Sequence, residues 1–159
     1  SPEHTRRSVI RSLRRLQTDV LDIVLVHSDG NDLHIIEQLG TLQALAQLKQ
    51  EGLIRAFGMS TKTVEGGLAA AACADVVMLT YNLTQRDEVV VLDTCAALGT
   101  GTLIKKALAS GHLATDYPDP VQASMDLVFA HPAVGAAIVG TISPAHLQSN
   151  VAAARSSLG

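Results

Sequence analysis

Residues 41–61 read TLQALAQLKQEGLIRAFGMST, and this stretch contains one complete unit of the predicted fold. Three leucines recur at helical spacing ahead of Gly52, which predicts a helix over residues 41–50 that stops near the glycine. The apolar run over residues 54–59 predicts a buried strand, and polar residues follow it. A helix that leads through a glycine into a buried strand is typical of an α/β protein.

The same unit recurs on both sides of this stretch. Short β-branched or apolar runs predict strands over residues 20–26, 54–59, 76–80, 102–105 and 136–139. Helices are predicted from Ser1-Pro2 onward and over residues 41–50, 87–98, 120–130 and 143–154. Because the predicted strands are nearly continuous in apolar residues, we expect a parallel sheet that is covered on both faces. No linker interrupts the series, so residues 1–159 are predicted to form one domain.

Composition narrows the class of protein further. A hydrophobic content of 47% with 17% charged residues predicts an ordered globular protein. A net charge of -3 argues against nucleic-acid binding, and no apolar run reaches the roughly 18 residues that a membrane span needs. The first residues carry no apolar signal stretch, so the cytoplasm is favoured. Cys73 and Cys95 are not in a CxxC pair, which predicts two buried free thiols.

Four of the six histidines give no indication of a metal site. They are predicted to lie in loops or exposed turns, without the paired spacing of metal ligands: His4, His34, His112 and His131. The sequence therefore predicts no metal.

Two folds accommodate alternating units of this kind, an open doubly wound sheet and a closed (β/α)8 barrel. No GxGxxG segment follows a strand, which removes the main support for the open dinucleotide-binding sheet. Polar residues follow every predicted strand, at 27–30, 60–62, 81–82, 105–106 and 140–141. Functional groups of barrels gather where the strands end. The pattern favours the (β/α)8 TIM barrel.

Five segments, in order, resemble the aldo/keto reductase family. They are SLRRLQTDVLDIVLVHSD (12–29), TLQALAQLKQEGLIRAFGMST (41–61), VVMLTYNL (76–83), GTLIKKALASGHL (101–113) and IVGTISPAHLQSN (138–150). The resemblance implies an incomplete barrel, strands four to eight with their helices, as the C-terminal portion of one barrel domain. It also implies an oxidoreductase that reduces an aldehyde or ketone with NADP(H), with NAD(H) as the alternative.

The resemblance divides the catalytic groups between this segment and the sequence before it. The family's tyrosine acid, with its supporting aspartate and lysine, is expected upstream, so the 159-residue segment alone is expected to reduce no carbonyl. His27 matches the family's histidine that hydrogen-bonds the substrate carbonyl. A donor there assists at the oxygen where negative charge develops.

The residues implied at the nicotinamide end depart from the family pattern. Ser60 and Thr61 match the pair that holds the carboxamide, with Thr61 in place of the usual Asn. Met78 stands where a glutamine is expected, and Lys105 where an aromatic residue stacks on the ring. A lysine gives no stacking contact, so we expect the ring to be held loosely.

The residues implied to bind the adenosine end of the cofactor keep more of the family pattern. Leu108 and Ser110 match the loop that wraps the pyrophosphate. Thr141 and Ser143, with the helix N-terminus that follows, predict a phosphate-binding site. His146 aligns with the family's arginine, and Asn150 matches a residue that contacts adenine.

Two alternatives stay open beside the reductase. A non-catalytic regulatory barrel that binds the dinucleotide is favoured by Met78 and Lys105. A phosphate-binding barrel lyase would use Lys105 as a Schiff-base amine. Because neighbouring strand residues point to opposite faces, Lys105 and Lys106 are expected to face opposite sides of the sheet. The expected partner is a small-molecule carbonyl substrate.

Overall fold

A five-stranded parallel sheet organises the computed structural model, which describes residues 1–112 and 116–159. The strands are β1 (Leu21–His27), β2 (Ile54–Ser60), β3 (Val76–Thr80), β4 (Gly101–Lys105) and β5 (Ala136–Ala137). They pair in the order β1-β2-β3-β4-β5, so every strand lies beside its neighbours in the chain. The predicted sequential order is confirmed, and the shuffled order of a doubly wound sheet is excluded. Leu113, which closes the fourth family-like segment, lies outside the described residues.

Within residues 1–112 and 116–159, seven α-helices accompany the strands. They are α1 (Pro2–Leu16), α2 (Asp32–Glu37), α3 (Thr41–Gln50), α4 (Val64–Ala71), α5 (Val89–Leu98), α6 (Pro120–Ala130) and α7 (Pro144–Leu158), with a 3-10 turn at Ala109–Gly111. Parallel neighbours joined by right-handed crossovers place the connecting helices on one side of a sheet. Across the described ranges, no helix is long and apolar enough to cross a membrane.

The extent of pairing differs between the strands and is smallest at β5. β1 and β2 align through six residue pairs, from Leu21 with Ile54 to His27 with Ser60, whereas β4 and β5 align through two. The predicted strand over residues 136–139 is therefore too long. Ile138 still donates its amide to the carbonyl of Ile104 at 2.8 Å, but it lies beyond the last paired residue and its side chain is half exposed.

The core fills the space between the sheet and its helices. The largest fully buried side chains include Leu45, Leu48, Ile54 and Leu92, and each is at most 1% exposed. Two of these are leucines of the predicted α3 stripe, as helical spacing requires.

One close approach ties β2 to β3. A Cβ atom added to Gly58 would lie 1.7 Å from the carbonyl oxygen of Val76, the residue that pairs with Gly58 across the two strands. Only glycine allows the two backbones to approach this closely.

Three positions differ from the sequence-based expectations. Cys95 is fully buried, but Cys73 is exposed, because it lies beyond the end of α4 and donates its thiol to the carbonyl of Ala69 at 3.3 Å. His4 belongs to α1 and His34 to α2, so neither lies in a loop. α2 was not predicted, since six residues carry too few apolar positions to show a helical period.

Candidate functional site

The carboxyl ends of β1 to β4 meet at one edge of the sheet. His27 pairs with Ser60, and Thr80 with Lys105, while the amide of Thr61 donates to the carbonyl of Met78 at 3.1 Å. We call the space above this edge the central cleft. It has a volume of about 460 Å³ and is lined by His27, Lys62, Val64, Thr80, Gln85, Asp87, Glu88, Lys105 and Lys106.

Lys105 contacts both residues predicted to hold the carboxamide of a nicotinamide. Its Nζ donates to Ser60 Oγ at 3.2 Å and also to the carbonyl oxygen of Thr61. Burial lowers the pKa of Lys105, with Lys106 and Lys62 acting in the same direction and Glu88 and Asp32 opposing them. These contacts join three predicted site residues. They engage the Ser60 hydroxyl and the Thr61 backbone carbonyl, whereas the buried Thr61 Oγ1 has no partner within the described residues.

Glu88 is a central-cleft residue that the sequence reasoning missed. It precedes α5 and is 9% exposed; its Oε1 accepts from the amide of Thr80 at 3.2 Å. Its Oε2 has no hydrogen-bond partner within the described residues. Burial raises the pKa of Glu88, and the Thr80 hydrogen bond and the charge of Lys105 only partly counteract this. A carboxyl at a helix start is visible in the sequence, but its direction into the cleft is not.

Asp32 is a second missed residue, and it holds two loops of the site together. Its Oδ2 accepts from the Lys62 amide, the Thr63 amide and the Thr63 hydroxyl, each at 2.8 Å. Burial acts to raise the pKa of Asp32, but hydrogen bonds from Ser28, Lys62 and Thr63 together bring it below its usual value. The carboxylate therefore joins the segment after β1 to the segment after β2.

A second cleft adjoins the first at Lys106, and we call it the outer cleft. Its volume is about 580 Å³, and five of the six residues predicted for the adenosine end line it: Leu108, Ser110, Thr141, His146 and Asn150. Ser143 has a different position. It caps α7, where its Oγ accepts from the amide of His146 at 3.3 Å.

The loop after β4 forms one wall of the outer cleft with an unusual backbone. Lys106, Ala109 and Ser110 have φ values of 55°, 46° and 58°, and they are three of the four non-glycine residues with positive φ in the described ranges. Such conformations are costly for residues with a Cβ and concentrate at functional sites.

Asn82 holds this loop against the preceding one. The side chain is 1% exposed, and its Nδ2 donates to the Lys106 carbonyl at 3.0 Å. Its Oδ1 accepts from the amides of Thr84 and Gln85 at 3.0 and 2.9 Å. One amide side chain therefore satisfies groups from the loops after β3 and β4.

The expectation that Lys105 and Lys106 face opposite sides is wrong. β4 ends at Lys105, and the positive φ of Lys106 breaks the alternation that holds within a strand. Lys105 lines the central cleft, and Lys106 lines both clefts. For metals, the described residues contain no group of three or more His, Cys, Asp or Glu side chains that could hold an ion.

Comparison with known proteins gives consistent matches. The model of the Aldo/keto reductase family matches residues 1–126. A pyridoxine 4-dehydrogenase of Escherichia coli is 28% identical over 96% of this chain and 59% of its own length. An uncharacterized oxidoreductase of Schizosaccharomyces pombe is 30% identical over 97% of this chain and 54% of its own.

Solved structures agree with these matches. A putative aldo-keto reductase of Pseudomonas aeruginosa superposes with a TM-score of 0.93 at 55% identity and covers 100% of this chain and 60% of that chain. The holo form of an aldo-keto reductase of Bacillus halodurans, 24% identical, shares the fold with a TM-score of 0.82 over 97% of this chain and 62% of its own. The chain thus spans less than two thirds of the length of each of these proteins.

Proposed function

Because the chain belongs to the aldo/keto reductase family, we propose that it supplies the cofactor-binding part of an enzyme that reduces an aldehyde or ketone with NADPH. Its five strands are part of a (β/α)8 barrel. One observation carries the proposal: two adjoining clefts, of about 460 and 580 Å³, share Lys106 at the carboxyl edge of the sheet. A joined pair of clefts suits an extended dinucleotide, and this edge is where barrels bind their ligands.

The outer cleft fits the phosphate and adenosine end of the cofactor. The N-terminus of α7 borders it and favours anions, and Thr141 and Ser110 offer hydroxyl groups. Gly111, with a φ of 89°, allows the backbone to approach a phosphate. Asn150 is 8% exposed and lines the cleft, where its amide would donate to and accept from adenine. His146 also lines this cleft, at the position of the family's arginine, and would contact the extra phosphate that distinguishes NADPH from NADH.

The central cleft would receive the nicotinamide and the substrate. When bound, the cofactor supplies the hydride. His27 is exposed at the end of β1 and lines the cleft, where a ring N–H would donate to the carbonyl oxygen of the substrate. Ser60 would orient the ring only after its hydroxyl exchanges its contact with Lys105. Weak placement of the ring follows from this competition.

The division between a firm phosphate end and a loose ring end can be measured. We expect 2′-phospho-ADP-ribose and NADPH to bind with nearly equal affinity in calorimetric titrations of the protein that contains this chain. Loss of one hydrogen-bond partner and one stacking contact weakens ring placement by roughly 1–3 kcal/mol. A hundredfold advantage of NADPH would contradict the proposal.

Substitution within α7 localises the binding. Asn150→Leu should lower the affinity for both ligands about tenfold, because it removes a buried amide from the outer cleft. Gln148→Leu is the matched control, since Gln148 is exposed on the same helix and does not line that cleft.

A regulatory barrel that binds the dinucleotide without efficient turnover is the second candidate. The contact of Lys105 with the Ser60 hydroxyl favours it, because that contact occupies one of the two side chains that would orient the ring. Carbonyl-dependent oxidation of NADPH separates the two candidates: the reductase shows turnover, and the regulatory barrel shows binding alone. For either candidate we propose one domain acting in the cytoplasm, with no nucleic-acid or membrane partner.

A further inference from the structure

Lys105 differs from an ordinary paired lysine in the groups that it contacts. Lys49 forms an ion pair with Asp75 at 2.6 Å. Lys105 is half-buried, and its two partners, the Ser60 hydroxyl and the Thr61 carbonyl, are both neutral. In the part of the chain that the structure describes, no carboxylate forms an ion pair with it. Neutral partners compensate a buried positive charge poorly, so this site favours the free amine more than a surface position does.

The two contacts also leave the amine able to react. A neutral amine has two N–H bonds, and the contacts with Ser60 and Thr61 account for both. Its lone pair then has no donor among the described residues. Lys105 lines the central cleft, so the nitrogen lies where a small molecule can reach it.

Glu88 provides a proton carrier in the same cleft. The side chain is nine-tenths buried and lines the cleft, and its Oε2 has no partner in the described ranges. A buried carboxyl with one free oxygen is held in its protonated form more readily than an exposed carboxyl. Acids of this type exchange protons with bound groups.

We propose that Lys105 condenses reversibly with an aldehyde that enters the central cleft, and that Glu88 transfers the protons of this condensation. This activity goes beyond the proposed carbonyl reduction and does not depend on it. The bond that forms joins Nζ to the carbonyl carbon, and the bond that breaks is the former carbonyl C–O bond.

The step balances without an oxidant or a reductant. The lone pair of Nζ adds to the carbonyl carbon and gives a carbinolamine. Both amine protons end on the departing oxygen, one of them by way of Glu88, which is protonated before and after the step. The products are an imine and one molecule of water.

The charge of the cleft selects among aldehydes. Lys62 and Lys106 line it and place positive charge around Lys105. Asp87 also lines the cleft and offsets one of these charges, while the protonated Glu88 adds none, so the net field is moderately favourable to an anion. We therefore assign the site to aldehydes that carry a phosphate group.

Borohydride trapping tests the proposal directly. Incubation of the chain with substoichiometric pyridoxal 5′-phosphate, followed by borohydride and peptide mass spectrometry, should place most of the label on Lys105. Lys105→Met should remove at least about nine tenths of the label, and Lys49→Met should leave it unchanged. Neutral pyridoxal should label Lys105 several-fold more slowly. Label spread over the exposed lysines, or an unchanged yield in Lys105→Met, would overturn the proposal.

The role of Glu88 has its own measurement. Glu88→Gln keeps an oxygen that can accept from the Thr80 amide, so the fold should be retained, as circular dichroism would report. The rate of labelling should fall at least tenfold, with the label still on Lys105, and Glu88→Asp should restore part of it. A wild-type rate in Glu88→Gln would overturn the assignment to Glu88. Since trapping needs no NADPH, failure of the reductase proposal leaves these outcomes unaffected.

Discussion

Asp32 shows how a residue that need not touch a ligand can determine the geometry of a site. Its carboxylate accepts three hydrogen bonds at 2.8 Å from the segment that follows Ser60 and Thr61. Helix α4 packs directly against this side chain, because a Cβ on Gly66 would lie 2.2 Å from the Asp32 side chain. The position of Ser60, which contacts the cleft residue Lys105, therefore depends on the first residue of α2.

Replacing Asp32 by asparagine should weaken the protein in a pH-dependent way. Asp32→Asn puts an amide among three donors, and we expect the free energy of unfolding at pH 7 to fall by about 1–3 kcal/mol. The folded-state pKa of Asp32 is lowered, so its contribution is present above the unfolded value of 3.8 and is lost as the pH falls through the folded value. Urea denaturation of both proteins should show a stability difference that shrinks toward acid pH.

Asp22→Asn serves as the control for this substitution. Asp22 pairs with Arg55 at 2.5 Å, but both side chains are largely exposed, so its removal should cost under about 1 kcal/mol. An equal loss of unfolding free energy in the two variants would show that the hydrogen bonds of Asp32 stabilise the protein no more than an exposed ion pair does.

The sequence indicated some of these residues but not others, for a physical reason. His27, Ser60 and Lys105 were indicated by the family resemblance and by their places at predicted strand ends, and the ends of paired parallel strands meet at one edge. Asp32 and Glu88 lie in loops or at helix starts, where side-chain direction depends on how the neighbouring elements pack. An isolated carboxyl in a polar segment carries no sign of that direction.

Among the elements, β2 is bound most closely to its surroundings. It pairs with β1 through six residues and with β3 through three, and Gly58 lies in both ladders. The close approach to the Val76 carbonyl leaves no space for a side chain at this position. The pairing of β2 with β3 thus depends on one glycine.

A methyl group at position 58 should disrupt the sheet. We expect Gly58→Ala to lower the free energy of unfolding by about 3 kcal/mol or more, because a backbone oxygen at 1.7 Å cannot move aside as a side chain can. Chemical denaturation followed by circular dichroism would measure the loss. Gly140→Ala is the control, since an added Cβ there meets nothing within 4 Å. Similar stability of the two variants would contradict the argument.

The limits of helices and strands were predicted correctly where the local sequence pattern is strong. α3 and β3 have the predicted limits, because leucine spacing and a continuous apolar run mark them clearly. β5 ends two residues early, since Ile138 and Val139 look like strand residues but have no paired register with β4. Apolar β-branched residues report burial or propensity, and pairing depends on a partner strand that the local sequence does not contain.

For the whole molecule, sequential pairing leaves β5 as the strand with the fewest aligned pairs. The number of aligned pairs is six between β1 and β2, three between β2 and β3, five between β3 and β4, and two between β4 and β5. The two residues that follow β5, Ile138 and Val139, line the outer cleft. Regions with few contacts open locally before the rest of a protein unfolds.

Hydrogen exchange should detect the weaker pairing of β5. The amides of Ala137 and Ile138 are expected to exchange well before those of Val24 and Phe57, because fewer ladder bonds must break to expose them. Exchange followed by mass spectrometry or by NMR would resolve the two regions. Protection of β5 equal to that of β1 and β2 would show that helix packing, and not strand pairing, determines the order of opening.

Lys106 lines both clefts, and this constrains how its position can change in evolution. Its side chain lines the two cavities, and its backbone carbonyl is bound by Asn82. A mutation at this codon changes the lining of both clefts at once, so few replacements can be neutral, whereas the Asn82 contact to the backbone carbonyl is open to any residue at position 106. Positions that line one cleft, such as Val64 or Ile138, carry no such constraint. We expect lineages to diverge in ligand preference first at those independent positions and last at 106.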